Sequence, residues 1–294
     1  MLLQGNALLA LAAAASWGGG DFSGGMGVKH AGGTMGAALR VVLLSHSMSF
    51  VVLLAVVGLR GDAFPQRAAL AWGVGAGVAG GLSLTCFYIA LSRGAMGASA
   101  AVSGLLAAAI PAVVSISQEG SPGVLRMAGF LLAGAAIWLI AAGENPEAVE
   151  ADRGTMWLAI VAGAGFGIYF VALKMAGSAG LVWPMATARM GSLSVCSVVL
   201  LVLLLKTKGA GAGAATMNRA VVGWAVSTAV LDTSGNLLFL AATRAGRLDV
   251  AAVLASLYPA STILLAAWRL HEKPTRRQGL GMGVAAVAVA MITL

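Results

Sequence analysis

Long apolar runs separated by short polar breaks follow one another along the whole chain. A helix that crosses the hydrocarbon core of a bilayer needs about 20 mainly apolar residues. Most of the breaks are short, so neighbouring helices are expected to be antiparallel. The pattern predicts ten spanning helices, at 4–26, 34–59, 68–92, 97–117, 123–142, 154–174, 183–205, 219–243, 248–270 and 275–294.

The composition places these helices in a membrane. Hydrophobic residues make up 60% of the chain and charged residues 10%, and the mean hydropathy is +0.94, whereas soluble domains contain about 25% charged residues. Uninterrupted runs, rather than the alternation of a barrel strand, indicate an all-α integral membrane protein. The first run lacks a preceding basic region and is interpreted as a span, not as a cleaved signal.

The net charge of +8 does not indicate a nucleic-acid partner. The basic residues stand singly in the connections between the apolar runs, where lipid headgroups attract them. Membrane lipid is therefore the expected partner of these positions.

Two pairs of segments suggest an internal repeat. Residues 34–49 resemble 183–197, and residues 89–105 resemble 240–257, at an offset near 150 throughout. An arginine occupies a matched position in each pair, as Arg40 with Arg189 and as Arg93 with Arg244.

The repeat predicts a division of the chain into two halves. Residues 1–142 would form the first five-helix repeat, 143–153 an acidic linker and 154–294 the second repeat. Because five is an odd number, the second repeat would enter the membrane in the opposite sense to the first. Many secondary transporters are built from such inverted repeats.

A proline interrupts the ninth predicted helix. Pro259 has no N–H and clashes with the carbonyl four residues earlier, so the helix must kink or break there. Within a membrane, neighbouring helices or a polar cavity must satisfy the freed backbone groups. We therefore interpret Pro259 as a hinge, with the Tyr258 hydroxyl and Ser256 lining a cavity beside it. The proline of the first half is displaced to Pro111.

Several polar residues lie within the apolar runs. Asp232 and Asn236 are one helical turn apart and share a face, and a carboxylate at mid-membrane normally faces a cavity or a partner. Asp232 could titrate, bind a substrate amine or pair with another helix. Asp21 lies in a glycine-rich stretch nearer a predicted helix end, where a solvated or a capping role is favoured over contact with substrate. Trp17 could line a cavity and stack on a flat or cationic ligand, or it could face lipid.

Three further side chains are weaker candidates. Tyr88 and Tyr169 could line the cavity or belong to the tyrosine belts at membrane surfaces. His46 could relay protons or act as a hydrogen-bond donor between helices.

Two mirrored pairs of charged residues are predicted to be structural. Arg40 and Arg189 could bind an anionic group, but their matched positions favour holding helix-end carbonyls or reaching the headgroups. Glu119 and Glu272 close the fourth span of each half and are interpreted as anchors.

The chain lacks the patterns of an enzyme. It contains no nucleophile–base arrangement, no phosphate-binding loop and no metal-ligand spacing, and Cys86 and Cys196 lie singly in apolar runs. We therefore predict no catalytic activity, no cofactor and no metal.

Three pieces of sequence resemble the EamA-like carriers of the drug/metabolite transporter superfamily. They are the stretch ASLYPASTILLAAWRLHEKPTRRQGLG with Pro259, Glu272, Gln278 and Gly281, the opening ASWGGGDF with Trp17 and Gly18, and the arginines Arg40 and Arg189.

This resemblance implies ten helices in two inverted repeats. It implies secondary transport of small metabolites, such as amino acids or other neutral or cationic solutes and drugs, by alternating access with proton coupling or exchange. An alternative is a flippase for a lipid-linked substrate, in which Arg40 or Arg189 grips a phosphate.

The resemblance also implies cytoplasmic termini in a bacterial-type inner or plasma membrane. The distribution of charge disagrees, because this orientation leaves six Lys and Arg residues in cytoplasmic connections and ten outside.

Overall fold

The computed structural model describes residues 5–93, 96–141, 153–206, 217–270 and 275–294. Every regular element within these ranges is a helix, and a 3₁₀ turn at Gly177–Ala179 follows α6. The helices are α1 (Gly5–His30), α2 (Met35–Arg60), α3 (Arg67–Ser92), α4 (Met96–Glu119), α5 (Val124–Ala141), α6 (Arg153–Ala176), α7 (Val182–Lys206), α8 (Arg219–Ala245), α9 (Leu248–Ala255), α10 (Tyr258–Leu270) and α11 (Arg276–Thr293).

The predicted all-α architecture is confirmed for the described ranges. Each predicted span corresponds to one helix, except the ninth, which is divided into α9 and α10. Six helices, namely α2, α3, α4, α6, α7 and α8, contain segments long and apolar enough to cross a membrane. Apolar segments of α5 and of the α9–α10 pair are shorter.

Polar side chains fix several helix starts. The Thr34 hydroxyl accepts from the Ala37 amide at 3.1 Å and begins α2. The Asn218 side chain accepts from the Val221 amide at 3.0 Å and begins α8. Such caps satisfy amide groups that have no partner inside the helix. The predicted bounds were therefore close at these two helices.

The interruption of the ninth span lies where the proline predicts it. α9 ends at Ala255, and α10 begins at Tyr258 with Pro259 as its second residue. In α4, by contrast, Pro111 lies inside one continuous helix. The two halves of the chain therefore differ in this element.

The beginning of α10 is bonded to α1. The Ser261 hydroxyl donates to the Ala14 carbonyl at 2.9 Å, and the Thr262 hydroxyl lies 3.3 Å from the Gly18 carbonyl. These carbonyls belong to the middle of α1, so α10 is attached to that helix close to the interruption.

Glycine permits close approach of α3 and α7. A Cβ atom at Gly77 would overlap the Ala188 carbonyl oxygen, and one at Gly191 would overlap the Val74 carbonyl oxygen. Small residues allow membrane helices to pack with their backbones in contact. The principal helix pairs are α1 with α8, α3 with α6 and α7, α4 with α6, and α5 with α11.

A cluster of charged side chains joins the end of α4, the end of α6 and the start of α9. Lys174 Nζ lies 2.5 Å from Glu119 Oε1. Arg247 donates to the Asp249 carboxylate at 2.7 Å and to the Gly120 carbonyl at 2.8 Å. We call these four side chains, Glu119, Lys174, Arg247 and Asp249, the helix-end cluster.

Candidate functional site

A cavity lies among α1, α2, α3, α6, α7, α8 and α10. Arg189, His46 and Ser192 contribute to its lining. Six of the side chains proposed from the sequence also line it: Trp17, Asp21, Tyr169, Asp232, Asn236 and Tyr258.

Arg189 on α7 is the centre of a buried polar network. Its side chain is 5% exposed, and its Nη2 donates to the Asp232 carboxylate and, at 3.1 Å, to Thr233 Oγ1. Its Nη1 donates to His46 Nε2 at 2.8 Å. Arg189 therefore binds side chains from both α2 and α8.

The contact with Arg189 fixes the tautomer of His46. A guanidinium group can only donate hydrogen bonds, so His46 Nε2 must be an acceptor. The ring proton then lies on Nδ1, which donates to the Ser192 hydroxyl. His46 is a neutral bridge between α2 and α7 in this arrangement, which agrees with the interhelical alternative.

Asp232 and Asn236 share one face, as the spacing predicts. Asn236 Nδ2 donates to Asp232 Oδ1 at 3.1 Å and to its main-chain carbonyl at 2.7 Å. The Tyr169 hydroxyl donates to Asn236 Oδ1 at 2.7 Å. The Asp232 carboxylate is therefore held by Asn236 and neutralised by Arg189, so it occupies the ion-pair role that the sequence left open.

Asp21 has a different environment. α1 continues to His30, so Asp21 lies well inside the helix, and the alternative of a capping residue was wrong. A Cβ atom at the preceding Gly20 would lie 3.3 Å from the Asp232 amide nitrogen, which places the two acidic residues on adjoining stretches of α1 and α8. Within the described part of the chain Asp21 has no hydrogen-bond or ion-pair partner.

Aromatic rings form the apolar side of the cavity. Trp17 stacks on Phe170 with ring centroids 5.0 Å apart, and it is 7% exposed. The alternative of a lipid-facing Trp17 was therefore wrong. Tyr258 is also buried, and its hydroxyl has no hydrogen-bond partner among the described residues. The cavity thus combines a flat apolar wall with unpaired polar groups.

The remaining tyrosine and serine candidates are buried in the bundle. Tyr88 is 1% exposed, and its ring fills the space that a side chain at Gly24 would need. Because Tyr88 and Tyr169 are both buried, the alternative of a surface belt was wrong. Ser256 lies at the junction of α9 and α10, fully buried and outside the cavity lining.

The mirrored charged pairs do not have mirrored environments. Arg40 is half-buried on α2 and does not line the cavity, unlike Arg189. Glu119 joins the helix-end cluster, whereas Glu272 lies outside the described residues. Cys86 and Cys196 are free, as expected.

Comparison with known proteins supports the fold and the class. Twenty-four chains of known structure match this one. One of them, a crystal structure of another protein, superposes with a TM-score of 0.74 over 99% of this chain and 97% of its own, at 13% sequence identity. This likeness establishes a shared fold. No curated protein sequence matches significantly.

A family model matches the second half of the chain. Residues 153–294 match the model of the EamA-like transporter family. The match covers the second half of the chain, which is therefore similar to EamA-like transporters. EamA-like proteins are part of the drug/metabolite transporter superfamily, which agrees with the resemblance drawn from the sequence and indicates a membrane transporter.

The EamA-like half supplies most of the polar network, including Arg189, for which the matched positions predict a structural role. A signal for its role was present in the sequence. An arginine inside an apolar run needs an acidic or carbonyl partner, and Asp232 is the acid deepest in a predicted span of the same half. The contact with His46 of the other half had no comparable signal.

The Tyr169→Phe variant is expected to lower the free energy of unfolding by about 1 kcal/mol, because Asn236 Oδ1 loses a buried donor. Thermal unfolding of the purified protein in detergent measures the loss. Tyr258→Phe is the matched control, since its hydroxyl has no partner in the described structure. Equal losses in the two variants would contradict the proposed contribution of the Tyr169 bond.

Proposed function

We propose that the protein is a secondary active transporter that moves small organic solutes across a membrane by alternating access. The central cavity carries this proposal. Helices from both halves of the chain enclose it, with α1, α2 and α3 on one side and α6, α7, α8 and α10 on the other. A site between two packed halves can open to either side when the halves rock.

The helix packing supports the predicted inverted repeat, with residues 1–142 and 154–294 as its two units. Counting five helices in each half, α1 corresponds to α6 and α3 to α8. α1 packs against α8, and α6 packs against α3. The equivalent helices α2 and α7, and likewise α5 and α11, pack against each other. A two-fold relation between the halves produces this exchange of partners.

We propose that both termini face the cytoplasm of a bacterial-type inner or plasma membrane. Gly5 at the start of α1 and Arg126 at the start of α5 line one surface pocket. A Cβ atom at Gly129 would lie 2.8 Å from Ile292 near the end of α11. These contacts support a common face for the two ends, and the family resemblance supports the cytoplasmic side.

The helix-end cluster is suited to close the cavity on this face. It connects α4 of the first half with α6 and α9 of the second half. Asp249 is fully buried, and a buried carboxylate is costly unless it is paired. We propose that the pairing of Arg247 with Asp249 and Glu119 holds this end shut in the present state.

The Arg247→Gln variant is expected to open this end, since Asp249 loses its cation. A cysteine introduced by Leu84→Cys places a thiol in the cavity. We expect this thiol to react with an impermeant maleimide about tenfold faster in the Arg247→Gln variant than with Arg247 present. A tenfold change corresponds to about 1.4 kcal/mol in the free energy of opening. The background carries Cys86→Ser and Cys196→Ser, and the reagent is added on the side of the termini. Arg60→Gln, which breaks an exposed pair with Asp62, is the control. Equal rates in the two variants would contradict the gating role.

Transport itself is tested in proteoliposomes that contain the full-length protein. A thermal-shift screen against amino acids, nucleobases and organic cations selects ligands, and radiolabelled counterflow then measures their movement. We expect at least one stabilising ligand to exchange across the membrane only in protein-containing vesicles. Stabilising ligands that never exchange would overturn the proposal.

The flippase alternative receives less support from the site. Arg189 is already engaged by Asp232, Thr233 and His46, and two carboxylates line the same cavity. A phosphate would meet repulsion there. A fluorescent-phospholipid translocation assay in the same vesicles tests this alternative, and we expect no protein-dependent translocation.

A further inference from the structure

We infer that the solute carries a positive charge and that the carboxylate of Asp21, rather than that of Asp232, binds it. This inference rests on the proposed transport function and specifies its substrate class. It follows from the charges that line the cavity, from the partners of each acid and from the aromatic wall beside Asp21.

The cavity contains more acid than base. Its lining includes two carboxylates, Asp21 and Asp232, and one cation, Arg189. His46 is neutral, because its Nε2 accepts from Arg189. With both acids ionised the cavity lining therefore carries one net negative charge. An isolated charge in such surroundings requires a counter-charge, which a cationic solute or a proton supplies.

Asp232 cannot easily supply the binding charge. One of its oxygens receives Arg189 and the other receives Asn236. A cationic solute would have to compete with a guanidinium that is itself buried and held by Thr233 and His46. Displacing one partner of a buried ion pair leaves the other charge without compensation, which is strongly unfavourable.

Asp21 has the opposite properties. Its carboxylate lines the cavity and has no partner in the described structure. The backbone of the preceding Gly20 packs closely against α8, so the position of Asp21 is fixed by the bundle. The neighbouring helices also present titratable side chains to this region. They are His46, Tyr88, Tyr169, Arg189, Asp232 and Tyr258.

An aromatic wall lies one helical turn from Asp21. Trp17 precedes it by four residues and therefore lies on the same face of α1, stacked against Phe170. Tryptophan faces attract cations, and desolvation strengthens the attraction. The unpaired Tyr258 hydroxyl is a further polar contact. The arrangement fits an amine or quaternary ammonium attached to a flat apolar body.

One consequence concerns pH. A proton and a cationic solute neutralise the same carboxylate, so each excludes the other. Binding needs ionised Asp21 and weakens as the pH falls. Exchange of one proton for one cation across the membrane is the coupling that this competition would produce.

Binding of three isosteric probes to the purified full-length protein tests the inference: phenyltrimethylammonium, neutral tert-butylbenzene and anionic benzenesulfonate. We expect tryptophan fluorescence titration to detect the cation with the highest affinity. Asp21→Asn should weaken cation binding by about ten- to a hundredfold, the effect of losing a charged partner. Asp21→Glu should retain most of it. Asp62→Asn, at an exposed acid paired with Arg60, should bind as the unmodified protein does.

The inference is overturned if the Asp21→Asn variant still binds the cation as tightly as the unmodified protein. An unchanged unfolding midpoint shows that this variant is folded. Equal affinity for cation and neutral isostere would overturn it as well. The two proposals fail separately. Cation binding that depends on Asp21 without counterflow contradicts transport alone, whereas counterflow of a neutral solute unaffected by Asp21→Asn contradicts the charge assignment alone.

Discussion

The Arg189→Met variant is expected to lose about 3–5 kcal/mol of unfolding free energy, the cost of leaving a buried charge without its partner. Methionine retains much of the apolar stem of arginine but removes the donors to Asp232, Thr233 and His46. The Asp232 carboxylate would then stand beside Asp21 with no cation between the helices.

A second variant separates charge from packing. In Arg189→Met/Asp232→Asn no unpaired carboxylate remains at position 232, and the amide can still bond with Asn236. We expect the double variant to recover most of the lost stability, as measured by equilibrium unfolding in mixed micelles. Arg60→Met, at a pair on the protein surface, should change stability by less than about 1 kcal/mol. A double variant no more stable than Arg189→Met would show that the loss comes from packing.

The second large effect is expected for Gly77→Ala. The new methyl group would overlap the carbonyl oxygen of Ala188, a backbone atom that cannot rotate away. α3 and α7 must therefore separate, at a cost of about 1–3 kcal/mol or more. Since Arg189 follows Ala188 directly, its guanidinium should move relative to Asp232. We expect the variant to lose transport as well as stability.

Gly75→Ala on the same helix is the matched control. Nothing lies within 4 Å of a Cβ atom at this position. Its unfolding midpoint should be unchanged or higher, because alanine is the better helix former by about 1 kcal/mol. Both variants are measured by thermal unfolding and by counterflow in proteoliposomes. If Gly77→Ala retained both properties, the tight contact between α3 and α7 would not hold in solution.

The sequence predicted features that depend on local pattern. Apolar runs located the helices to within a few residues, Pro259 located the interruption, and helical spacing placed Asp232 and Asn236 on one face. These properties depend on neighbours that are close in the chain, so residue types and intervals are sufficient to infer them.

The partners of the polar residues could not be predicted in the same way. Arg189 is far in sequence from His46, and which acid it would neutralise depended on the rotation of α1 and α8 about their axes. Asp21 and Asp232 were both compatible with the pattern, although the depth of Asp232 in a span of the same half favoured it. Asp21 was placed too near a helix end because its glycine-rich surroundings weaken the hydropathy signal, although the helix continues to His30.

The attachment of α10 to α1 has a mechanical consequence. Ser261 and Thr262 bond to carbonyls on either side of Trp17, so a tilt of α10 at the interruption would either pull on α1 or break these bonds. A rotation of α10 beside Pro259, in the second half of the chain, that keeps these bonds would therefore displace Trp17 and Asp21, which lie in the first half. In the proposed alternating-access cycle, α1 would therefore move together with α10 of the other proposed repeat, and the candidate solute contacts at Trp17 and Asp21 would move with them.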